Sequence, residues 1–148
     1  MFGPPPSDVL APVIGALLDR ADVQWHVIPG REDSLIRFWL TFAGGGTFGF
    51  HVGADGAVLD VIAECCWNDE DLGGYGRLEV RPASTCDPPA GAVGQRLVGV
   101  DDLFDLASSS AIGARLRFEN VAVSVADWDD ELHWANGDLP PTVAARPR

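Results

Sequence analysis

The chain has 148 residues, of which 47% are hydrophobic, and a formal net charge of −12 at pH 7. This hydrophobic content is typical of a globular protein rather than a disordered one, and no apolar run approaches the roughly 20 residues that a membrane span needs. All ten basic residues are arginine, so lysine-based chemistry is excluded, and the acidic balance argues against binding to nucleic acid.

Length and the first residues predict one cytoplasmic domain. A chain of this size suits a single domain with a sizeable core. Residues 1–6 lack the basic region of a signal peptide, and acidic residues follow from Asp8. We expect the domain to occupy residues 1–141 and a flexible tail to follow over 142–148, after the Pro140-Pro141 pair.

The first predicted element is an amphipathic helix over residues 7–21. Apolar residues recur there every three or four positions, with Asp19 and Arg20 on the polar side. Proline is tolerated only near the first turn of a helix, so the start lies between Ser7 and Pro12. A short strand over 23–28 is expected to follow.

The next predicted element is an antiparallel meander over residues 34–43, 47–53 and 57–66, which are rich in strand-forming residues and separated by glycine-containing turns. A two-residue turn at Asp55-Gly56 and a three-residue turn over glycines 44–46 define its register. Every pair is then apolar on one face, as a half-buried sheet requires. The pairs are Val52 with Leu59, Phe50 with Val61, Phe48 with Ala63, Phe42 with Phe48, Leu40 with Phe50 and Phe38 with Val52.

The second half of the chain predicts further short strands, over residues 76–81, 95–100, 115–118, 121–126 and 131–134. Asp101 is placed to cap a short helix over 102–108. We therefore expect an α+β fold, in which an N-terminal helix and a short second helix pack on one face of a mostly antiparallel β-meander sheet.

Polar residues share the opposite face of the meander. Alternation along the strands places Arg37, Trp39, His51, Asp60 and Glu64 there, and the register puts His51 opposite both Trp39 and Asp60. A carboxylate orients an imidazole in the way that general bases are held. One interpretation is a small-ligand binder or hydrolase-like enzyme that uses His51, Asp60 and Arg37. The other is a cross-strand polar pair on a solvated sheet face.

Surplus negative charge is concentrated in residues 55–138, where 17 acidic residues face five arginines, an excess equal to the whole net charge. Two segments in this stretch, 67–71 and 128–134, place acids beside tryptophan. Exposed tryptophan ringed by carboxylates is typical of a hot spot that steers a basic partner. In the alternative, Trp67, Trp128 and Trp134 anchor the core among solvated acids. The residues expected to bind are Trp67, Asp69, Glu70, Asp71, Trp128, Asp129, Asp130, Glu131 and His133.

The remaining motifs predict no cofactor and no metal site. Gly44-x-Gly46-x-x-Gly49 has dinucleotide-binding spacing, but a strand rather than a helix follows it. The acids that begin at Asp127 have Leu132 where a calcium loop needs glycine. The cysteines lack the paired spacing of a zinc site, and we expect free, buried thiols at Cys65, Cys66 and Cys86.

The order of a helix and then a meander, over residues 7–66 of a small acidic domain, resembles the YbjN-like and type III secretion chaperone group. That resemblance implies protein binding without catalysis. The chain departs from the group after Trp67, where an acidic loop, a strand and a proline-rich connection replace a long helix. The second half is similar in type to the small acidic immunity proteins of bacterial toxin systems. The expected function is a non-enzymatic module that binds and neutralises, or escorts, a basic toxin-like or effector-like protein, with no nucleic-acid or membrane partner.

Overall fold

The computed structural model describes residues 3–53, 58–107, 110–140 and 145–147, the last three as backbone alone. Its strands form two antiparallel sheets, of order β4-β3-β2-β1-β6-β5 and β10-β9-β8-β7-β11. The elements are α1 (Pro6–Leu10), β1 (Leu18–Val27), β2 (Ser34–Phe42), β3 (Gly46–Val52), β4 (Leu59–Ala63), β5 (Glu70–Asp71), β6 (Arg77–Pro82), β7 (Leu97–Asp105), β8 (Ala111–Phe118), β9 (Ala122–Trp128), β10 (Glu131–Asn136) and β11 (Ala145–Pro147), with 3-10 turns at Ala11–Val13, Gly73–Tyr75 and Pro88–Ala92.

The core lies between the two sheets, whose inner faces carry the apolar residues of each strand. In the first sheet Phe38 and Phe50 are fully buried, and their rings stack with centroids 4.5 Å apart. In the second sheet Leu116 and Val125 are fully buried as well. The fold is thus dominated by sheet, with one short helix in the described residues.

Two short helical segments pack against both sheets. Helix α1 contacts β4 of one sheet and β7 and β8 of the other, and it buries Leu10 completely. The backbone N–H of Ser7 donates to Asp102 of β7 at 2.9 Å. The Pro88–Ala92 turn packs against β1, β9 and β10 and buries Ala92.

The N-terminal helix is much shorter than the sequence predicts. It ends at Leu10, and strand β1 already includes Leu18 and Ala21. Pro12 lies in a 3-10 turn and Gly15 has a φ of 94°, so an α-helix does not continue through this stretch. A register shift between Leu18 and Arg20 lets a strand bury both Leu18 and Ala21 on the core side, which imitates helical spacing.

The predicted second helix over 102–108 is wrong, since β7 continues to Asp105. The carboxylates that suggested a helix start are used across strands instead. Asp101 pairs with Arg117 at 2.9 Å, and Asp102 accepts from Ser7. Ser108 lies outside the described residues. Within the predicted tail, Ala145–Pro147 pair with β7 as strand β11.

The pairing of the meander strands is confirmed, with one shift of register, and the predicted turn at Asp55-Gly56 lies outside the described residues. Val52, Phe50 and Phe48 pair with Leu59, Val61 and Ala63, as predicted. Between β2 and β3, however, Phe38 pairs with Phe50 and Phe42 with Gly46, two residues away from the prediction. A shift by two keeps every side chain on its predicted face, so the apolar pattern alone did not distinguish the two registers. The shift moves His51 away from Trp39 and towards Arg37.

Candidate functional site

A strap crosses the outer face of the first sheet. We use this name for residues 64–69, which run from β4 at one edge of the sheet to β5 at the other. The Cys66 thiol lies 3.4 Å from the Asp22 carboxylate of β1, and the Val80 amide of β6 donates to Asp69 at 2.7 Å. The strap therefore covers part of the face that the sequence predicts to be solvated.

His51 lies beneath the strap between a cation and an anion. Its Nδ1 is 3.1 Å from Arg37 Nη1, and its Nε2 contacts the Glu64 carboxylate. Arginine only donates hydrogen bonds, so Nδ1 accepts and the proton of the neutral ring lies on Nε2, towards Glu64. Both ring nitrogens are thus engaged inside the protein.

Two tryptophans complete this cluster. Trp39 and Trp67 donate their indole N–H groups to the two oxygens of Glu64, at 3.2 Å and 3.3 Å. The guanidinium carbon of Arg37 lies 3.7 Å from the centre of the Trp67 ring, a cation–π geometry. Trp39 is fully buried, whereas Trp67 remains 42% exposed. Trp67 therefore seals the cluster and still presents an aromatic surface to solvent.

Burial sets the electrostatics of the cluster. It lowers the pKa of the Arg37 guanidinium from its ordinary value, and the Glu64 carboxylate offsets part of this effect. Arg37 Nε and both amide atoms of its cross-strand neighbour Gln24 are buried without a hydrogen bond to any described residue. A Cβ at Gly49 would meet the side-chain ends of Glu64 and His51, so a larger residue here would displace the cluster.

The prediction that Asp60 orients His51 is therefore wrong in one respect. Asp60 lies opposite His51 in the strand register, as predicted, but the ring bonds to Glu64 instead. Alternation had placed Glu64 on this face without a role. Its function as the common acceptor for His51, Trp39 and Trp67 depends on the strap, which no periodicity in the sequence reveals.

A cavity of about 490 Å³ opens beside this cluster. Arg37 and His51 line one side, and Asp130, Glu131 and Leu132 of the second sheet line the other. The structure thus brings the alternative site residues Arg37 and His51 next to two acids of the predicted binding segment. Asp60 is not among the lining residues.

The tryptophans of the second acidic segment are packing residues. Trp134 packs against Phe38 and Trp25, with ring centroids 5.2 Å and 6.1 Å away, and Trp128 packs on a small cluster around Leu103 and Ile112. His133 Nε2 lies 3.2 Å from the Trp128 carbonyl oxygen. The core-anchor interpretation therefore holds for Trp128 and Trp134, and the acids of this segment remain exposed.

Those acids occupy a tight turn. Asp129 and Asp130 join β9 to β10 with φ angles of 56° and 61°. Such a two-residue hairpin turn requires positive φ at both central positions, which favours asparagine and glycine. Aspartate at both positions directs two carboxylates to solvent from an unfavourable backbone conformation.

The acids of the first segment lie around β5. Asp69, Glu70 and Asp71 are exposed and line a second cavity together with Val27, at the end of β1. Ser34, at the start of β2, lines the first cavity together with Asp130 and Glu131. Because His26 pairs with Ser34, both cavities lie at the same end of the first sheet. We call the following six residues the acidic end: Asp69, Glu70, Asp71, Asp129, Asp130 and Glu131.

Five carboxylates elsewhere form ion pairs with arginine, and those of the acidic end do not. The ion pairs join Arg20 to Asp22, Arg77 to Glu79, Arg81 to Asp33 and Glu79, Arg115 to Asp138, and Arg117 to Asp101. Within the part of the chain that the structure describes, no residue of the acidic end forms an ion pair. The surplus charge is therefore uncompensated in this region.

Three further observations bear on function. Among the described residues, no group of three or more His, Cys, Asp or Glu side chains is placed to hold a metal ion, and no helix reaches the length and apolarity of a membrane span. The three cysteines are free, as predicted, but Cys65 and Cys86 are exposed rather than buried. Compared with protein-family models, with curated proteins and with solved structures, the chain matches none.

Proposed function

We propose that this protein is a non-enzymatic binding module whose acidic end docks a basic protein partner. The observation that carries the proposal is the clustering of six exposed acids, none of which forms an ion pair among the described residues, while five acids elsewhere pair with arginine. Uncompensated carboxylates around two cavities create a negative field that attracts a basic surface and speeds its encounter.

Within this class, neutralisation of a toxin-like partner, as by an immunity protein or inhibitor, is the first candidate. Escort of an effector-like partner by a chaperone-like adaptor is the second. The exposed ring of Trp67 supplies an aromatic anchor close to the charged surface. Free thiols at all three cysteines support the cytoplasmic location that we propose with it.

Affinity capture tests the proposal. The tagged protein is used to recover partners from a lysate of its own host at low salt, and the recovered protein is then purified and titrated. A variant in which the six acids of the acidic end become Asn or Gln should bind that partner at least about tenfold more weakly. Added salt should weaken the wild-type complex, because exposed charges are screened.

A matched control removes charge from elsewhere. Asp8, Asp19 and Glu119 are exposed acids on other parts of the molecule. Their change to Asn, Asn and Gln removes as many charges as the change of Asp129, Asp130 and Glu131 to Asn, Asn and Gln. Partner affinity should fall in the Asp129, Asp130 and Glu131 variant and should be unchanged in the Asp8, Asp19 and Glu119 variant. Equal affinity in both, at low salt, contradicts the proposal.

The cavity beside Arg37 favours binding of a small ligand as a second candidate function, without hydrolysis. A general base needs a free ring nitrogen, and both nitrogens of His51 are already engaged by Arg37 and Glu64. Amide NMR signals of Ser34, Val52 and Leu132, which line the cavity, report on occupancy during a screen of small anions and zwitterions. Saturable shifts confined to these residues would favour this candidate.

A further inference from the structure

A groove lies between the end of β1 and the segment that joins β5 to β6. It encloses about 650 Å³. Its lining is apolar at Val27, Pro29 and Leu78, and three glycines, Gly73, Gly74 and Gly76, contribute backbone without side chains. An apolar floor of this kind fits an aliphatic chain.

The rim of the groove is negatively charged. Asp69, Glu70 and Asp71 all line it. Asp69 accepts a hydrogen bond from the Val80 amide and Asp71 accepts one from the Gly73 amide, at 2.7 Å and 2.8 Å, each through a single oxygen. A carboxylate has about four acceptor sites, so capacity remains on both. The one cationic residue in the lining, Arg77, is already paired with Glu79.

Tyr75 lies in the chain between two residues that line the groove, Gly74 and Gly76, and is not itself a lining residue. Tyr75 is 79% exposed, and its carbonyl oxygen is bonded by His26 Nε2 at 2.6 Å, which holds the Gly73–Tyr75 turn to β1. Apolar lining residues, three carboxylates and a tyrosine between two lining glycines together match the parts of an arginine side chain. Its stem buries apolar surface, and its planar guanidinium binds carboxylates through paired donors and stacks on rings.

We propose that this groove receives an arginine side chain of the basic partner, with Glu70 and Asp71 as its main acceptors. This inference rests on the proposed docking function. It identifies an arginine guanidinium as one cationic group of the partner that the acidic end binds. Charge complementarity selects this occupant, because an apolar segment leaves three carboxylates without a cationic partner.

NMR titration with a defined probe tests the proposal. The probe is the blocked peptide acetyl-Gly-Arg-Gly-Arg-Gly-amide, and its counterpart carries citrulline at both arginine positions, which removes charge and keeps shape. We expect saturable shifts of the Gly73, Gly74 and Gly76 amides with the arginine peptide and none with the citrulline peptide. A lysine peptide should bind more weakly, since it lacks the planar fork.

Two variants sharpen the test. The double variant Glu70→Gln/Asp71→Asn should weaken binding about fivefold, and Asp19→Asn/Glu119→Gln, with the same loss of charge elsewhere, should not. Gly74→Leu should abolish the shifts, because it adds bulk to the lining. A Cβ at Gly74 meets no atom within 4 Å, so this change introduces no clash.

Several outcomes would overturn the inference. Shifts centred on Asp129 to Glu131 would reject the groove and leave the docking function intact, as would binding that Gly74→Leu does not alter. Binding of the lysine or the citrulline peptide as tight as that of the arginine peptide would reject arginine as the occupant. Conversely, the groove could bind the arginine peptide while the captured partner binds the six-acid variant as tightly as the wild type. That result would reject the proposed function and retain the groove.

Discussion

At the scale of single residues, the outer face of the first sheet contains both well-bonded and unsatisfied polar groups. Glu64 accepts from His51, Trp39 and Trp67, so its burial is compensated. Gln24 is fully buried next to Arg37, and its amide bonds to no described residue. A buried amide without partners costs free energy that an apolar side chain of similar size does not.

Replacement of this amide should stabilise the protein. We expect Gln24→Met to raise the free energy of unfolding by about 1–2 kcal/mol, because it removes an unsatisfied polar group at nearly constant volume. Urea denaturation measures the change. Gln95→Met is the matched control and should destabilise, since the Gln95 side chain donates to Gly91 and accepts from Asn120. A loss of stability in Gln24→Met would contradict the prediction.

The cysteines should differ in reactivity. Burial raises the pKa of the Cys66 thiol to about 11, and the neighbouring Asp22 carboxylate adds to this effect. The thiolate is the nucleophile, so Cys66 should be alkylated much more slowly at pH 8 than the exposed Cys65 and Cys86. Peptide mass spectrometry after timed iodoacetamide treatment measures the three rates. Equal rates at Cys65 and Cys66 would show that the strap does not protect the thiol.

At the scale of elements, two backbone features expose the acids. One is the strap, which places Asp69 within hydrogen-bond distance of β6, and the other is the tight turn between β9 and β10. The turn contains aspartate in two left-handed conformations, each of which costs about 1–2 kcal/mol for an ordinary residue and less for aspartate. This turn is therefore less stable than one of asparagine and glycine, but it carries two exposed carboxylates, of which that of Asp130 lines the first cavity.

Turn residues of better conformational preference should recover that stability. We expect Asp129→Asn/Asp130→Gly to raise the free energy of unfolding by about 1 kcal/mol, because asparagine and glycine favour this turn. The control Asp129→Ala/Asp130→Ala removes the same charges and does not relieve the backbone, so it should not stabilise. If both variants gain equally, the effect comes from charge and the turn explanation fails.

The predictable elements are those in which one pattern dominates. The meander and β6 follow from alternation and glycine turns, and Arg77–Pro82 lies within one residue of the expected strand. The helix over 102–108 failed because Asp101 and Asp102 look like a cap locally, while their partners, Arg117 and Ser7, are distant in the chain. The cluster around His51 could not be predicted, because it depends on a two-residue register shift and on the strap.

At the scale of the whole molecule, charge is distributed unevenly rather than spread as a uniform coat. Arginines pair with Asp22, Asp33, Glu79, Asp101 and Asp138, whereas the acidic end forms no ion pair among the described residues, within a net charge of −12. Like charges held close together repel one another in the folded state more than in the expanded chain. Folding thus occurs against a local repulsion that a bound basic partner would relieve.

Salt should therefore stabilise the free protein. We expect a rise in sodium chloride from about 0.02 to 0.3 M to increase the free energy of unfolding by roughly 1 kcal/mol, because the screening length falls from about 20 Å to about 6 Å and weakens the repulsion between the acids. The salt-sensitive ion pairs act in the opposite direction, but exposed pairs contribute little each. Thermal and urea denaturation at both salt concentrations measure the change.

The six-acid variant locates the source of this effect. If the repulsion arises at the acidic end, the variant should be more stable than the wild type at low salt and nearly insensitive to added salt. The Asp8, Asp19 and Glu119 triple variant should keep most of the wild-type dependence, since those acids lie elsewhere on the molecule. If the wild-type protein loses stability on addition of salt, its ion pairs outweigh the repulsion between acids. The acidic end would then not destabilise the free protein, and a basic partner would relieve no repulsion there.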